Sequence, residues 1–278
     1  MLGHKLCEYL PERFEVFGVA RRPVLELEPY RCFKNTRLVG GLDCTEPEAL
    51  IPLIKALKPS FVINAVGLVK QAANAEDQGE NERINTSLPR MLAMLAGEHR
   101  FRLVHISTDC VFDGSRGAYR ENDPVNARDS YGKTKASGEV SGDRCLTLRT
   151  SIIGKELFHR QGLLEWFIGK RGQTVQGFTK AFFSGLTTQA FSRILAAILS
   201  KSPELEGLFH VSSDRISKYD LLTRVNAKLG LSVEIIPDET VDLDRSLDSS
   251  LFRSVTQMPI PSWDAMISEL PNDLAEYD

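Results

Sequence analysis

Short β-branched or aromatic runs alternate with longer helical patterns through the first half of the chain, and this alternation restricts the fold more than any other feature. The runs are "EVFGVA" (15–20), "TRLVG" (36–40), "FVINAV" (61–66) and "RLVHIS" (102–107); the main helical patterns between them are "EPEALIPLIKAL" (46–57) and "ERINTSLPRMLAMLAG" (82–97). Strands and helices taken in turn read as βαβ units on a parallel sheet. "FVINAV" and "RLVHIS" lack strict polar alternation, as strands buried on both faces should. After "CLTLRT" (145–150) the texture changes to Gly-punctuated, less regular sequence. Helical stretches follow near 187–200, 217–229 and 261–269, with strands at "LFHVSS" and "VEIIP". The pattern predicts a doubly wound α/β protein, with a first domain over 1–150 and a smaller, partly interleaved region over 151–278.

Composition narrows the partners. The chain has 278 residues, 42% of them hydrophobic, enough to bury a sizeable core. Its formal charge of −3, from 34 basic and 37 acidic residues, gives no basic footprint for nucleic acid. Small molecules or proteins are the expected partners. Five cysteines without a CxxC pair argue against a disulfide framework and a zinc site, and fit a reducing cytosol. No apolar run approaches the roughly 18 to 20 residues of a membrane span. The five histidines show no HxxxH or HxH spacing, so no metal site is expected and they read as core or surface histidines.

The sharpest constellation is "HISTDCVFDG" (105–114) followed by "SYGKTKASGE" (130–139). An apolar strand ends there in Ser107, Thr108 and Asp109, and in open α/β sheets ligands bind outside the carboxyl ends of strands. Tyr131 and Lys135 lie four apart in a helical stretch and project from one face. A phenol beside an ammonium is a plausible proton donor, because the positive charge favours the phenolate and lowers the tyrosine pKa. Spacing alone is weak evidence: Tyr30 and Lys34 also make YxxxK, with no hydroxyl-bearing strand end behind them. Trp166, Phe167, Phe182 and Phe183 suit either a pocket or the core, and core is the commoner use.

Thr108, Tyr131 and Lys135, set in "STDCVFDG" and "YGKTKASGE", resemble the Ser/Thr-Tyr-Lys triad of the extended short-chain dehydrogenases/reductases, most closely the dTDP-4-dehydrorhamnose reductase-like branch. The likeness covers nearly the whole chain through "NAVG" (64–67), "IN" (84–85), "YRENDP" (119–124), "LRTSIIG" (148–154) and "FFSGLTT" (182–188). It implies a Rossmann-like domain that binds NADPH, with NADH as the alternative, and a C-terminal region that grips a nucleotide sugar. Tyr131 would protonate the carbonyl oxygen of a keto-sugar, Lys135 would support it and hold the nicotinamide ribose, and Thr108 would polarise the carbonyl. The cofactor contacts implied are Gly3, Arg21, Arg22, Asp43, Asn64, Ala65, Gly67 and Asn85, with Tyr131 and Lys135. The substrate contacts are Thr108, Asp109, Val111, Phe112 and Arg245, the last toward a diphosphate. Arg21 and Arg22, with no acid at the end of "EVFGVARR", favour the 2′-phosphate of NADP.

The sequence departs from the best-known members just before the tyrosine, where "NDPVNARDSYG" stands, so the sugar and its nucleotide stay open. The resemblance leaves room for a non-catalytic regulatory subunit of the same fold, like the β subunit of methionine adenosyltransferase, and for a nucleotide-sugar epimerase. A homodimer also stays open. "MLGHKLCEYL" matches the end of a G-x-x-G-x-x-G element, with Gly3 in the third glycine's place. A first strand and two glycines are expected upstream of Met1, because two open ladder edges inside a core would cost on the order of 1 to 3 kcal/mol per unpaired group.

Overall fold

Leu2, Leu6 and Leu10 form one buried stripe, and the first helix, α1 (Leu2–Tyr9), lays it against the core. The computed structural model describes residues 1–68, 77–158 and 160–275. Next come β1 (Phe17–Val19), the short α2 (Val24–Leu27), β2 (Arg37–Val39), α3 (Pro47–Leu57) and β3 (Phe61–Asn64). Pro47 starts α3, where a missing N–H costs nothing, and Lys58 ends it in the left-handed region.

The predicted 82–97 helix is three pieces: α4 (Gln78–Glu82), a π-helical turn over Arg83–Ser87, and α5 (Leu88–His99). Pro89 explains the wide turn. Its nitrogen has no proton for the carbonyl of Asn85 four residues earlier, so the regular ladder cannot run through.

β4 (Arg102–Thr108) and β5 (Cys145–Thr150) flank α6 (Ser130–Ser137) in sequence and pair in parallel along their length. The C-terminal part contributes β6 (Ile152–Ile153), α7 (Leu163–Ile168), β7 (Thr174–Phe178), β8 (Ala181–Phe183), β9 (Leu186–Thr187), α8 (Thr188–Lys201) and β10 (Gly207–His210). It closes with β11 (Ile216–Ser217), α9 (Lys218–Leu229), β12 (Glu234–Asp238), β13 (Leu243–Asp244), α10 (Ser250–Thr256) and α11 (Trp263–Ala275).

The main sheet is parallel, in the order β10-β5-β4-β3. β1 and β2 form a separate parallel pair, and among the described residues β1 and β3 are not paired with each other. Helices cover both faces of the main sheet, as parallel strands require. On one face Leu50, Ile54, Leu92 and Leu95 pack with Leu103. On the other, Val104, Leu146 and Leu148 meet Leu2, Phe191, Leu195, Trp263 and Ile267, so a single core joins residues from both ends of the chain. Phe167 and Phe183 belong to that core as well, whereas Trp166 is exposed and Phe182 lies under the guanidinium of Arg215. No helix of the described residues is long and apolar enough to cross a membrane.

Candidate active site

β4 ends at Thr108, and a one-turn helix over Asp109–Val111 begins there, because the Thr108 hydroxyl caps it by accepting the Cys110 N–H at 3.1 Å. The same hydroxyl donates to Asp109 Oδ1 at 3.1 Å and is a hydrogen-bond partner of the Tyr131 phenol. Asp129 caps α6 by accepting the Gly132 N–H at 2.8 Å, which sets the first turn that carries Tyr131. One turn on, the Lys135 ammonium donates to the Ile106 carbonyl of β4 at 2.7 Å. The strand end and the helix thus bring Thr108, Tyr131 and Lys135 together.

Two glycines make this approach possible. A Cβ on Gly132 would stand 2.2 Å from the Cys110 carbonyl oxygen, and one on Gly138 would stand 1.8 Å from that of Asn85. The Asn85 carbonyl, released by Pro89, is therefore the surface on which the end of α6 rests.

Electrostatics at the triad correct one expectation. Burial pushes the Tyr131 phenol up, well above the ordinary range; Cys110, Asp109 and Asp129 add to this, and only the Thr108 hydroxyl opposes it. Lys135, almost fully buried, is itself pushed down to about 8 by loss of water, and the Glu139 carboxylate offsets part of that. Its ammonium is directed at a backbone carbonyl, so the phenol is held in its protonated form. Asp109, also buried, is raised, with Arg245 and Lys218 pulling against desolvation.

Ser107 does not face a ligand beside Thr108. Successive strand residues point to opposite faces, and Ser107 donates to Glu139 Oε1 at 2.6 Å. Arg149 of β5 grips the Glu139 carboxylate with two bonds of 2.7 Å, and its Nη1 stands 3.2 Å from His210 Nε2. His210 Nδ1 lies 3.0 Å from the Tyr119 carbonyl oxygen. Because the guanidinium only donates, His210 Nε2 accepts and Nδ1 carries the proton. This buried chain below the triad was not singled out in the sequence, although "SGE" sits inside the motif. The signal available was strand alternation, which permits only one of Ser107 and Thr108 to face outward.

The other named residues divide. Gly3 borders open space: a Cβ there would meet nothing within 4 Å. A Cβ on Gly67 would lie 3.3 Å from Asn85 Oδ1 and 3.9 Å from Lys135 Nζ, which places the 64–68 loop beside the triad. Ala65 packs on the core. Asn85 is fully buried and acts behind that loop: it accepts the Leu68 N–H at 3.0 Å and donates to the Leu68 carbonyl at 3.3 Å, a correction to direct cofactor contact. Val111 and Phe112 are also corrections. Their side chains are wholly buried, Phe112 stacked 4.1 Å from Tyr119, so they pack the loop instead of meeting a substrate. Arg245 donates to the Phe112 carbonyl at 3.0 Å and to Cys110 Sγ at 3.5 Å, tying β13 to the triad loop.

At the far end of the loop row, Arg22 is engaged by Glu26 at 2.8 Å and by the ring of Phe158 at 4.1 Å. Arg21 is 71% exposed in its side chain and stands 3.8 Å from Glu80. Asp43 accepts the Thr45 N–H at 3.0 Å and its hydroxyl at 2.7 Å, which with Arg83 and Arg21 holds it below the usual carboxylate range. The acid-free strand end seen in the sequence is thus met by acids from elsewhere in the chain. Tyr30 packs edge-on against Phe158, away from any strand-end hydroxyl. His159 and the segment 69–76 lie outside the described residues, among which no cluster of His, Cys, Asp and Glu is grouped to hold a metal ion.

A parallel sheet with a Thr-Tyr-Lys group at its carboxyl edge defines a Rossmann-like protein of the dehydrogenase/reductase type. More narrowly, the chain belongs to the family described as the RmlD substrate binding domain, which matches residues 1–274. A dTDP-4-dehydrorhamnose reductase from Aggregatibacter actinomycetemcomitans is 35% identical over 40% of this chain and 39% of its own length. The chain thus spans about two fifths of the length of the first curated relatives it matches. A hypothetical dTDP-4-dehydrorhamnose reductase from Sulfolobus tokodaii superposes with a TM-score of 0.77 at 27% identity, covering 95% of each chain. A dTDP-4-dehydrorhamnose reductase from Bacillus anthracis, solved with NADP, has a TM-score of 0.76 at 18% identity over 92% of this chain and 98% of its own.

Proposed function

We propose that this chain reduces the carbonyl of a nucleotide-linked 4-keto-sugar with NADPH, in the reducing cytosol. The observation that carries the reading is the Tyr131 phenol, protonated and hydrogen-bonded to Thr108, above a Lys135 ammonium seated on β4. The names of the relatives favour a dTDP-linked sugar.

The residues present fit the cofactor. Gly67 offers backbone without a side chain next to Lys135 Nζ, Gly3 borders open space, and Arg21 is the accessible cation for a 2′-phosphate. When bound, NADPH supplies the hydride. Thr108, whose single hydroxyl proton is donated to Asp109 Oδ1 in the structure, would turn that proton to the carbonyl oxygen and polarise it. Tyr131 gives its proton to that oxygen as hydride arrives at the carbon, so the product leaves as a neutral alcohol and the negative charge is left on the phenolate. Lys135 then stabilises the phenolate until water restores the proton. Region 151–278, tied to the triad loop through Arg245, would grip the nucleotide sugar.

The test is NADPH oxidation with a panel of 4-keto sugars linked to dTDP, UDP and GDP. One substrate is expected to turn over, and Tyr131→Phe to abolish turnover while thermal unfolding stays unchanged. Full activity in that variant would sink the assignment, and no oxidation with any sugar would favour a non-catalytic role.

A further inference from the structure

His105 stands in the middle of β4, in register with Asn64 of β3 and Thr147 of β5, and is completely buried. A parallel-sheet core normally fills such a place with Val, Ile or Leu. His105 Nδ1 lies 3.2 Å from Asn64 Nδ2, while Nε2 has no hydrogen-bond partner among the described residues. An unmade bond of this kind costs on the order of 1 to 3 kcal/mol, so the imidazole is retained against its own cost.

The hydrogen-bond pattern around Asn64 says what it does. Asn64 Oδ1 accepts the Val66 N–H at 3.1 Å, and a backbone N–H can only donate. The amide orientation is thereby fixed: Nδ2 is the donor toward His105, and His105 Nδ1 must accept. The ring is accordingly neutral, with its proton on Nε2, a state that burial and the nearby Lys135 charge both favour. Had Asn64 flipped, Val66 N–H would face an NH2 group and the turn from β3 into Gly67 would lose its pin.

We propose that His105 is a positioning residue, which locks the Asn64 amide so that the 64–67 turn presents Gly67 beside Lys135. Asn85 clamps the same loop at Leu68. The strand pins one end and the π-turn pins the other. The link to cofactor binding rests on the reductase reading; the pinning itself does not.

Three variants separate this role from simple core filling. In His105→Asn the amide oxygen takes the place of Nδ1 and keeps the acceptor; in His105→Gln the amide reaches the place of Nε2 and loses it; His105→Leu fills the space with no acceptor. In the full chain without cofactor, hydrogen exchange at Val66 should speed up about tenfold in the Gln and Leu variants, the loss of one hydrogen bond, and return to within about twofold of wild type in the Asn variant. NADPH affinity, read by fluorescence titration, should weaken in the same order by about tenfold. Equal exchange in all four proteins, or an Asn variant as fast as the Gln variant, overturns the proposal. Should the Leu variant fail to fold, the Asn and Gln pair still decides. Wild type that fails to bind NADPH would count against the reductase reading alone, since the exchange pattern is measured without it.

Discussion

The Lys135 ammonium lies 2.7 Å from the Ile106 carbonyl oxygen, a charge held inside the protein by one neutral acceptor and a carboxylate one turn away. Loss of water disfavours that charge, so on the proposed reading it serves the reaction and not the stability of the fold. With a folded pKa of about 8 against an ordinary 10.5, the unfolded chain binds the extra proton between those values, so stability rises with pH across that window. Below it, keeping the charge costs on the order of 3 kcal/mol.

Lys135→Met should therefore be more stable than wild type at pH 7, by up to roughly 3 kcal/mol in urea unfolding, while losing on the order of 10²-fold in kcat/KM. The wild-type kcat/KM should fall as pH rises through about 8, where the ammonium is lost. The Met variant should show no such limb. A variant less stable than wild type would mean that the bond to Ile106 outweighs desolvation.

Below the triad, the Glu139–Arg149 pair is buried, with side-chain exposures of 10% and 4%. Removing one partner leaves the other charge without compensation, at a cost of roughly 3 to 5 kcal/mol. Arg149→Met and Glu139→Gln should each approach that loss in denaturant titrations. A Glu139→Leu/Arg149→Met double variant should lose clearly less than Glu139→Leu and Arg149→Met added together, because neither member of the pair is left charged without the other.

His210, pushed down to about 4 by burial and by the Arg149 guanidinium, accepts from that guanidinium only while neutral. The unfolded chain takes up its proton near 6.5, so stability present above that pH is lost as pH falls toward 4, by up to about 3 kcal/mol. His210→Gln, whose carbonyl can take the place of Nε2, should flatten the difference between unfolding free energies at pH 7 and pH 4.5. An unchanged slope would place the acid sensitivity elsewhere.

The elements themselves were legible in the sequence because their physics is local: "RLVHIS" and "CLTLRT" are β-branched and apolar throughout, and the observed strands cover Arg102–Thr108 and Cys145–Thr150. Tyr131 and Lys135 were legible for the same reason, since helical spacing puts them on one face. What escaped was set by neighbours distant in sequence. The tyrosine pKa depends on burial beneath Cys110 and Asp109, Asn85 turns inward because Pro89 breaks the helical ladder, and Val111 and Phe112 are claimed by Tyr119 and Leu247. Acids reach Arg21 from α4 and the 43–46 turn, which no reading of "EVFGVARR" alone can foresee.

Gly132 and Gly138 are required by backbone approach, not by backbone freedom, for both sit in helical geometry at the two ends of α6. Gly132→Ala would push against the Cys110 carbonyl at 2.2 Å and the Ala127 Cβ at 2.6 Å, neither of which is a flexible side-chain end that could yield. The helix must shift, carrying Tyr131 with it. A loss of about 1 to 3 kcal/mol is expected from overpacking, with kcat falling more than stability would explain. Gly97→Ala, where a Cβ meets nothing within 4 Å in α5, is the control and should be neutral or slightly stabilising.

If the chain binds NADPH as proposed, cofactor choice should turn on the balance between Arg21 and the acids around it. Arg22 is already engaged by Glu26 and the Phe158 ring, so Arg21 is the cation free to meet a 2′-phosphate, while Glu80, 3.8 Å from it, competes for the same charge. Arg21→Ser should raise KM for NADPH about tenfold, the loss of one charge-assisted contact of roughly 1.5 kcal/mol, and leave KM for NADH unchanged. Arg22→Ser should do less, because it removes a contact made within the protein. Glu80→Gln should move the other way and lower KM for NADPH alone, since it takes away a negative charge next to the phosphate's partner. If Arg21→Ser affects both cofactors equally, or Glu80→Gln improves NADH instead, then this end of the sheet does not read the 2′ position. The choice would then lie with the Asp43–Arg83 contact, the other charged pair at the ends of these strands.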